Sequence, residues 1–311
     1  MNRLTQTKNW LTSNGKVVSL LLTMLIGICF PQAHRLTFLV QYLLMAMLFF
    51  SFLDLQIDNS SFRTGALKIL AANLATGFGW FFLCLLIDRE LAATAFITAM
   101  APTAISSTVI VAFINRRVDF MVAAVLLTNI AVALVVPFVL PSVVGTTSKI
   151  STMDVLIPVL ITMFVPLILA RACTLLPRNA RQFLKAGKKL TFPLWLFNLL
   201  IISAKASQFI FVEGSTSISE VLEIACLALA ICVVNFVLGA VLGGREFWQE
   251  SSQALGQKNN SFAIWIALTY INPLAAMGPT IYILYHHIYN TWQIYHFEKN
   301  KEKIWKKQIS A

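Results

Sequence analysis

Long apolar stretches recur along the whole chain, and they constrain its fold more than any other feature. A helix needs about 20 apolar residues to cross roughly 30 Å of hydrocarbon. Ten stretches approach that length, at residues 17–33, 36–54, 66–87, 91–114, 118–141, 154–172, 190–211, 221–243, 250–271 and 273–295. At 58% hydrophobic and 12% charged residues, the chain is more apolar than a soluble domain. We therefore predict an all-α polytopic membrane protein with ten transmembrane helices.

The net charge of +11 is distributed unevenly between the loops. When successive loops are assigned to alternate sides, 19 of the 24 lysines and arginines fall on one side. The other side receives only Arg35, Arg89, Lys149 and Lys205. Because positive residues accumulate in cytoplasmic loops, this pattern favours membrane orientation over nucleic-acid binding as the reason for the charge. It predicts a protein of the cell (inner) membrane with both termini in the cytoplasm.

A basic stretch at residues 171–189, near the middle of the chain, is interpreted as a cytoplasmic linker between two five-span halves. Residues 1–172 would form the first half and the start of the linker. Residues 154–311 would form the second half, whose first span begins near residue 154. An odd number of spans per half inverts the second half relative to the first. A cleaved signal peptide at the start of the chain is the alternative, but residues 31–34 are a poor cleavage site.

Two polar interruptions lie at matching places in these halves, at residues 101–108 and 256–261. Hydrocarbon offers no water to an opened backbone, so such breaks persist only where they are buried in protein or line a cavity. A kinked helix, with its hydroxyls bonded to its own carbonyls, would explain one break alone. Two breaks at matching places favour a solute or ion site, in which positive half-helix ends attract anions.

Lys258 is the most informative residue of the second interruption. A lysine near the bilayer centre costs about 3 kcal/mol and is kept when it has partners or a task. The alternative is a shallow lysine that reaches the headgroups. The candidate substrate- or ion-binding residues are Ser106, Ser107, Thr108, Gln257, Lys258, Asn259 and Asn260. Further candidate contacts are Asn73, Thr103, Thr128, Asn129 and Asn198.

The sequence contains few of the motifs that would indicate another class of function. The five cysteines are scattered and have no paired spacing, so neither disulfides nor a metal site is predicted. We find no glycine-rich phosphate loop and no nucleophile motif, and the few acidic residues lie mostly at loop edges. We expect neither enzymatic activity nor a cofactor. The expected partners are membrane lipid and a small solute, and the sequence does not determine the oligomeric state.

Four short segments match motifs of a known family. The ninth span reads Ala-Leu-Gly-Gln-Lys-Asn at residues 254–259, followed by Phe262-Ala263 and Ile266-Ala267. The fourth span has Pro102, Ser107 and Val109 in the places of Pro-Gly-Gly-x-x-Ser-Asn-Val, but departs from it at Thr103, Ala104 and Thr108. Residues 48–55 and 285–290 add further similarity. The chain thereby resembles the bile acid:sodium symporters over nearly its whole length.

This resemblance implies a specific architecture. The family has two inverted five-helix repeats, in which the fourth and ninth helices are discontinuous and cross. Spans three to five and eight to ten would form a core that rocks against a panel of spans one, two, six and seven. Alternating access would follow from that motion.

The departures from the family concern sodium. The family's ninth-span glutamate, which helps to bind both sodium ions, falls on Ala254, which has no ligand atom. A glutamine falls on Lys258, whose ammonium would repel a cation beside it. Ser107 matches a sodium-ligating serine, while Thr108 replaces an asparagine. A third-span glutamine has no secure match, and Asn73 is the nearest polar candidate.

We therefore expect a secondary transporter that moves a small organic anion by alternating access, with weakened or absent sodium coupling. The ammonium of Lys258 can fill the vacated volume as a tethered cation. Transport would then be uncoupled, or coupled to H+ carried by Lys258. Two alternatives stay open: a Na+-coupled symporter with a rearranged ion site, and a membrane sensor or channel.

Overall fold

A computed structural model describes residues 19, 21–53, 64–145, 150–212 and 217–309. Apart from one isolated pair of bridged residues, the regular structure in these ranges is helical. In chain order the helices are α1 (21–29), α2 (Leu39–Phe52), α3 (Thr64–Leu85), α4 (Arg89–Met100), α5 (Ser106–Phe113), α6 (Val118–Val144), α7 (Thr152–Ala172), α8 (Arg178–Ala186), α9 (Thr191–Ser207), α10 (Ile218–Gly256), α11 (Asn260–Tyr270) and α12 (Pro273–Ile309). The all-α prediction is confirmed over this part of the chain.

Five helical segments within these ranges are long and apolar enough to cross a membrane. They are Gly65–Leu85, Val118–Val144, Thr152–Leu175, Arg178–Val212 and Ile218–Gly256. Three of the other predicted spans lack a single long apolar helix. α2 has only 14 residues, and the fourth and ninth spans each consist of two shorter helices. The start of the first predicted span and the basic residues Arg3, Lys8 and Lys16 lie outside the described residues.

The exposed surface of α7 is what lipid contact requires. Ile157, Ile161, Val165 and Ile168 are all exposed, and their spacing places them on one face of the helix. A soluble protein would present polar side chains on such a face, since large exposed apolar patches are rare there. The pattern agrees with an integral membrane protein.

α10 is one element of 39 residues, but it bends sharply. Gly244 has φ 59° and ψ −156°, and Phe247 is also non-helical. A Cβ added to Gly239 would clash with the carbonyl oxygen of Ser251, so the chain folds back on itself across this bend. α10 therefore contains the eighth predicted span, up to Gly243, and a short half-helix at residues 248–256 that belongs to the ninth.

The same order of elements occurs twice in the chain. α3 is followed by the two short helices α4 and α5 and then by the long α6. The first part of α10 is followed by the half-helix 248–256, by α11 and then by the long α12. In both series the break between the two short helices falls within a polar interruption identified in the sequence.

The basic stretch at residues 171–189 does not have the position that we predicted for it. It forms α8 and a 3-10 turn at Gly187–Leu190, between α7 and α9. α7 is the sixth predicted span, so this stretch cannot separate five spans from five. If the chain has two five-span halves, which stays a prediction, their boundary would fall between α6 and α7. The charge of a loop indicates the side of the membrane on which it lies, and it says nothing about where a repeat begins.

Two compact units make up the chain. One contains the described residues of 1–54 and 162–220, and the other those of 55–161 and 221–311. In the second unit, buried residues of α3, α5, α6 and the half-helix 248–256 form a common apolar core, among them Ile69, Val111, Met121 and Leu255. This core holds the ends of the broken helices in place.

The bend of α10 predicts a specific effect of substitution. Gly244→Ala should lower the melting temperature, because a side chain in that backbone conformation costs about 1–3 kcal/mol, although a Cβ at Gly244 would meet no atom within 4 Å. Gly79→Ala is the matched control, since Gly79 is helical and equally open. It should leave stability unchanged or raise it by up to about 1 kcal/mol. Equal melting temperatures of the two purified variants would contradict this account.

Candidate functional site

The two breaks meet as a short antiparallel pair of extended segments. Thr103 and Lys258 form the bridge. The N–H of Ala104 donates to the carbonyl oxygen of Gln257 at 2.8 Å, and the N–H of Asn259 donates to that of Pro102 at 2.7 Å. Backbone groups released by unwinding one helix are thus paired with those released by the other. This pairing meets the requirement for partners inside an apolar interior.

Pro102 explains the first break. Proline lacks an N–H and disfavours helical geometry in the residue before it, and Ala101 is accordingly extended, with ψ 134°. The break covers residues 101–105 only. Ser106, Ser107 and Thr108, which we predicted to lie within the interruption, form the first turn of α5, because their hydroxyls can bond to nearby carbonyls without opening the helix.

The second break is shorter than the polar sequence that predicted it. It covers residues 257–259, and α11 begins at Asn260. Asn259 is the N-cap of α11, and its side-chain oxygen accepts from the N–H of Phe262 at 3.3 Å. Asparagine is among the most favourable N-cap residues. A cap at this position explains why the chain becomes helical again so soon.

Thr103 joins the crossing to its neighbours through all of its polar groups. Its N–H donates to the hydroxyl of Thr128 at 3.1 Å, and its carbonyl accepts from the amide of Asn129 at 2.9 Å. Its own hydroxyl donates to the carbonyl of Ala254 at 2.6 Å. Thr103, Thr128 and Asn129, which the sequence identified as possible ligand contacts, therefore hold the backbone of the site.

Side chains also donate hydrogen bonds to the C-terminal carbonyls of the two helices that lead into the crossing. The amide of Asn73 donates to the carbonyl of Met100, the last residue of α4, at 3.2 Å. The hydroxyl of Tyr282 donates to the carbonyl of Gly256, the last residue of α10, at 2.7 Å. Together with Ala254, these are the oxygens that a helix end would otherwise offer to a cation.

Lys258 lies at the centre of the crossing and is 1% exposed. Its Nζ donates to Oδ1 of Asn73, a residue 185 positions away in sequence that is itself 1% exposed. The shallow alternative for Lys258 is therefore wrong in this structure. Because Asn73 is neutral and the one ion pair between described residues joins Arg117 to Asp119, the ammonium has no anionic partner there.

The remaining candidates near the crossing bond either across it or within their own segment of the chain. Gln257 donates through Nε2 to the hydroxyl of Ser106 at 2.9 Å, and Ser106 is exposed. The hydroxyls of Ser107 and Thr108 donate to the carbonyls three residues earlier, at 2.6 and 2.8 Å. Each hydroxyl keeps a free lone pair, and Ser106 is both exposed and fixed by its bond to Gln257 beside the crossing.

Asn260 and Asn198 have different surroundings. Asn260 is buried and contacts Nδ1 of His286 on α12 at 3.2 Å. Asn198 lies on α9 in the first unit, where it is buried and neither atom of its amide has a hydrogen-bond partner among the described residues. Within the same ranges no three His, Cys, Asp or Glu side chains come together as a metal site.

Two contributors were missed as site residues by sequence reasoning. Tyr282 and His286 lie one turn apart on α12 and contact Gly256 and Asn260 respectively. Their spacing of four residues and the position of His286 within residues 285–290, which resemble the family, are the signs that the sequence offers. They do not reveal which other helix these residues face.

The bond from Thr103 to Ala254 predicts a measurable loss of stability. Thr103→Val keeps the shape of the side chain but leaves a carbonyl at a helix end without its donor, so unfolding should become about 1–3 kcal/mol more favourable. Thr280→Val is the matched control: Thr280 is also buried, but it donates to Ala276 within its own helix. Thermal melting of both variants in detergent measures the difference, and equal losses would contradict the assignment.

Comparison of the sequence with protein-family models found no match, and comparison with curated proteins found none either. The resemblance to the bile acid:sodium symporters therefore rests on the motifs quoted above. The function that it implies is put forward below as a proposal.

Proposed function

We propose that this protein is a secondary transporter of the inner membrane that carries a small organic anion by alternating access. In this proposal it has ten spans in two inverted repeats, with discontinuous, crossing fourth and ninth helices and both termini in the cytoplasm. The solute has a carboxylate or sulfonate group and pairs with Lys258. Transport does not require sodium, and any coupling ion is a proton carried by Lys258.

The observation that carries the proposal is the position of Lys258. A buried ammonium that has only a neutral partner is unfavourable by several kcal/mol unless it loses its proton or meets an anion. Lys258 has such a partner in Asn73. It lies where two helices are opened, directly after Gln257, which donates to the exposed Ser106. An anionic solute at this place would supply the charge that the described residues lack.

The oxygens of the crossing support independence from sodium. A sodium ion in an apolar interior needs several oxygen ligands and some negative charge. The carbonyls of Pro102, Thr103, Ala254, Gly256 and Gln257 each accept a hydrogen bond from a protein donor. Residue 254 is an alanine, so it supplies no carboxylate. The ammonium of Lys258 adds repulsion.

The division of the chain into two compact units supports alternating access. The unit of residues 1–54 and 162–220 contains the predicted spans one, two and seven and most of six. The unit of residues 55–161 and 221–311 contains spans three to five and eight to ten. These are nearly the panel and the core that the resemblance implies. Domain motion about linkers is a recurrent way to open a site alternately.

Lys258→Met tests the proposal directly. The melting temperature of the purified protein would first be measured against a panel of short carboxylates and sulfonates, and the compound that stabilises it most would be used for counterflow in proteoliposomes. Loss of a buried charge partner costs at least about 2 kcal/mol, so the dissociation constant of the variant should rise at least about 30-fold. Counterflow should fall accordingly.

Lys68→Met is the matched control, since Lys68 is exposed on α3 of the same unit. This variant should keep the ligand-induced shift in melting temperature and the counterflow of the wild-type protein. Stabilisation by the same acid in Lys258→Met would contradict the assignment of Lys258.

Replacement of sodium gives a second test of the proposal. Counterflow of the same labelled acid should change less than about twofold when Na+ is replaced by an equal concentration of N-methylglucamine, because residue 254 supplies no carboxylate and the ammonium of Lys258 repels a cation. The melting temperature of the ligand-free protein should be equally insensitive. Strict dependence of counterflow on sodium would overturn this part of the proposal.

A further inference from the structure

The half-helix 248–256 carries a buried polar stripe. Glu250, Gln253 and Gln257 follow one another at spacings of three and four residues, so they lie on one face. The last of them still donates its backbone N–H to the carbonyl of Gln253 at 3.0 Å. Their exposures are 1%, 0% and 2%. Three such side chains deep in an apolar unit require partners.

Each side chain of the stripe is held at one end and unpaired at the other. Oε1 of Glu250 accepts from the N–H of Arg117 at 3.2 Å, and Nε2 of Gln257 donates to Ser106 at 2.9 Å. Oε2 of Glu250, Oε1 of Gln253 and Oε1 of Gln257 have no hydrogen-bond partner among the described residues. Since each unpaired buried group costs about 1–3 kcal/mol, the stripe calls for a ligand with donors.

α12 presents unpaired donors to the same stripe. Nε2 of Gln253 donates to Oδ1 of Asn290 at 2.9 Å and to Oε1 of Gln293 at 2.6 Å. The amide nitrogens of Asn290 and Gln293 have no partner in the part of the chain that the structure describes. Rotating the amide group of any one of these three residues by 180° would place two oxygens or two nitrogens against each other. In the observed orientation, the atoms that do not take part in these two bonds stay unpaired within the described ranges.

Unpaired acceptors and unpaired donors together identify the ligand. A metal cation would satisfy only the oxygens. Water donates and accepts, and in buried sites it typically bonds to about three such groups. The stripe thus has the chemistry of a water site. Seven residues separate Glu250 from Gln257, and a helix rises about 1.5 Å per residue. The stripe is therefore about as long as a row of four hydrogen-bonded waters at roughly 2.8 Å spacing.

The two ends of the stripe have different chemistry. Beside Glu250 lies Arg117, which is exposed and pairs with Asp119 at 2.7 Å. The hydrogen bond to Asp119 raises the pKa of Arg117, so this exposed side chain stays charged. At the other end, Gln257 is the residue directly before Lys258.

We propose that the stripe binds a chain of water molecules between the loop at Arg117 and Lys258. The chain gives Lys258 a route for proton exchange, an assignment that rests on the proposed function. The ammonium passes one proton to the nearest water, each water passes one on, and the last releases it at the loop. The amine is then neutral, and the reverse sequence recharges it.

Cysteine labelling tests the water chain without any solute. Gln253→Cys should react with methanethiosulfonate-ethylammonium at least about tenfold faster than Leu255→Cys, because only a thiol in contact with water forms the reactive thiolate. Leu255 is the matched control: it lies on the same half-helix, is 0% exposed within the apolar core, and loses a similar volume on substitution. Peptide mass spectrometry separates these sites from the five native cysteines.

Equal labelling rates in two folded variants would overturn the water chain. If Gln253→Cys does not fold, as judged by its melting temperature, Asn290→Cys and Ile283→Cys on α12 replace the pair, since both positions are buried. Fast labelling together with an unaffected Lys258→Met variant would show that the water chain stands and the transport proposal fails. Slow labelling with an impaired Lys258→Met variant would show the reverse.

Discussion

The backbone pairing between residues 102–104 and 257–259 is the constraint on which the rest of the site depends. Opening a helix in an apolar interior exposes amide groups that no lipid can satisfy. Here two opened segments satisfy each other. Neither break would be stable alone, so the two must form together. That requirement brings α4, α5, α11 and the half-helix 248–256 to one point.

The backbone pairing does not neutralise the charge of Lys258. Side chains from α3, α6 and α12 occupy the carbonyls around the crossing, and Asn73 accepts one bond from the ammonium. No described acidic residue pairs with it. The site therefore differs from a cation site in two respects, because the backbone carbonyls of Pro102, Thr103, Ala254, Gly256 and Gln257 each accept a protein hydrogen bond and its fixed charge is positive. An anionic solute or the loss of a proton would relieve this imbalance, which is why transport of an anion is the function that we propose.

Sequence reasoning predicted the helical class and the positions of both breaks, since hydropathy and Pro102 act locally. It overestimated the length of each break because it counted polar residues, whereas Ser106 and Asn260 are compatible with a helix start. It placed the end of the eighth span at residue 243 and the start of the ninth at residue 250, and the structure bends between them, at Gly244 and Phe247. The bond between Lys258 and Asn73 joins residues 185 positions apart, and only the three-dimensional arrangement of the helices reveals it. The division into five-span halves and the direction of insertion stay predictions.

The bridge between Thr103 and Lys258 is made by main-chain atoms. Its geometry therefore depends little on which side chains the bridged residues carry, provided that their backbones can adopt an extended conformation. Such a scaffold can exchange a carboxylate for a methyl group, or an amide for an amine, and still keep its crossing. The side-chain chemistry at the crossing can therefore change while the backbone geometry stays the same.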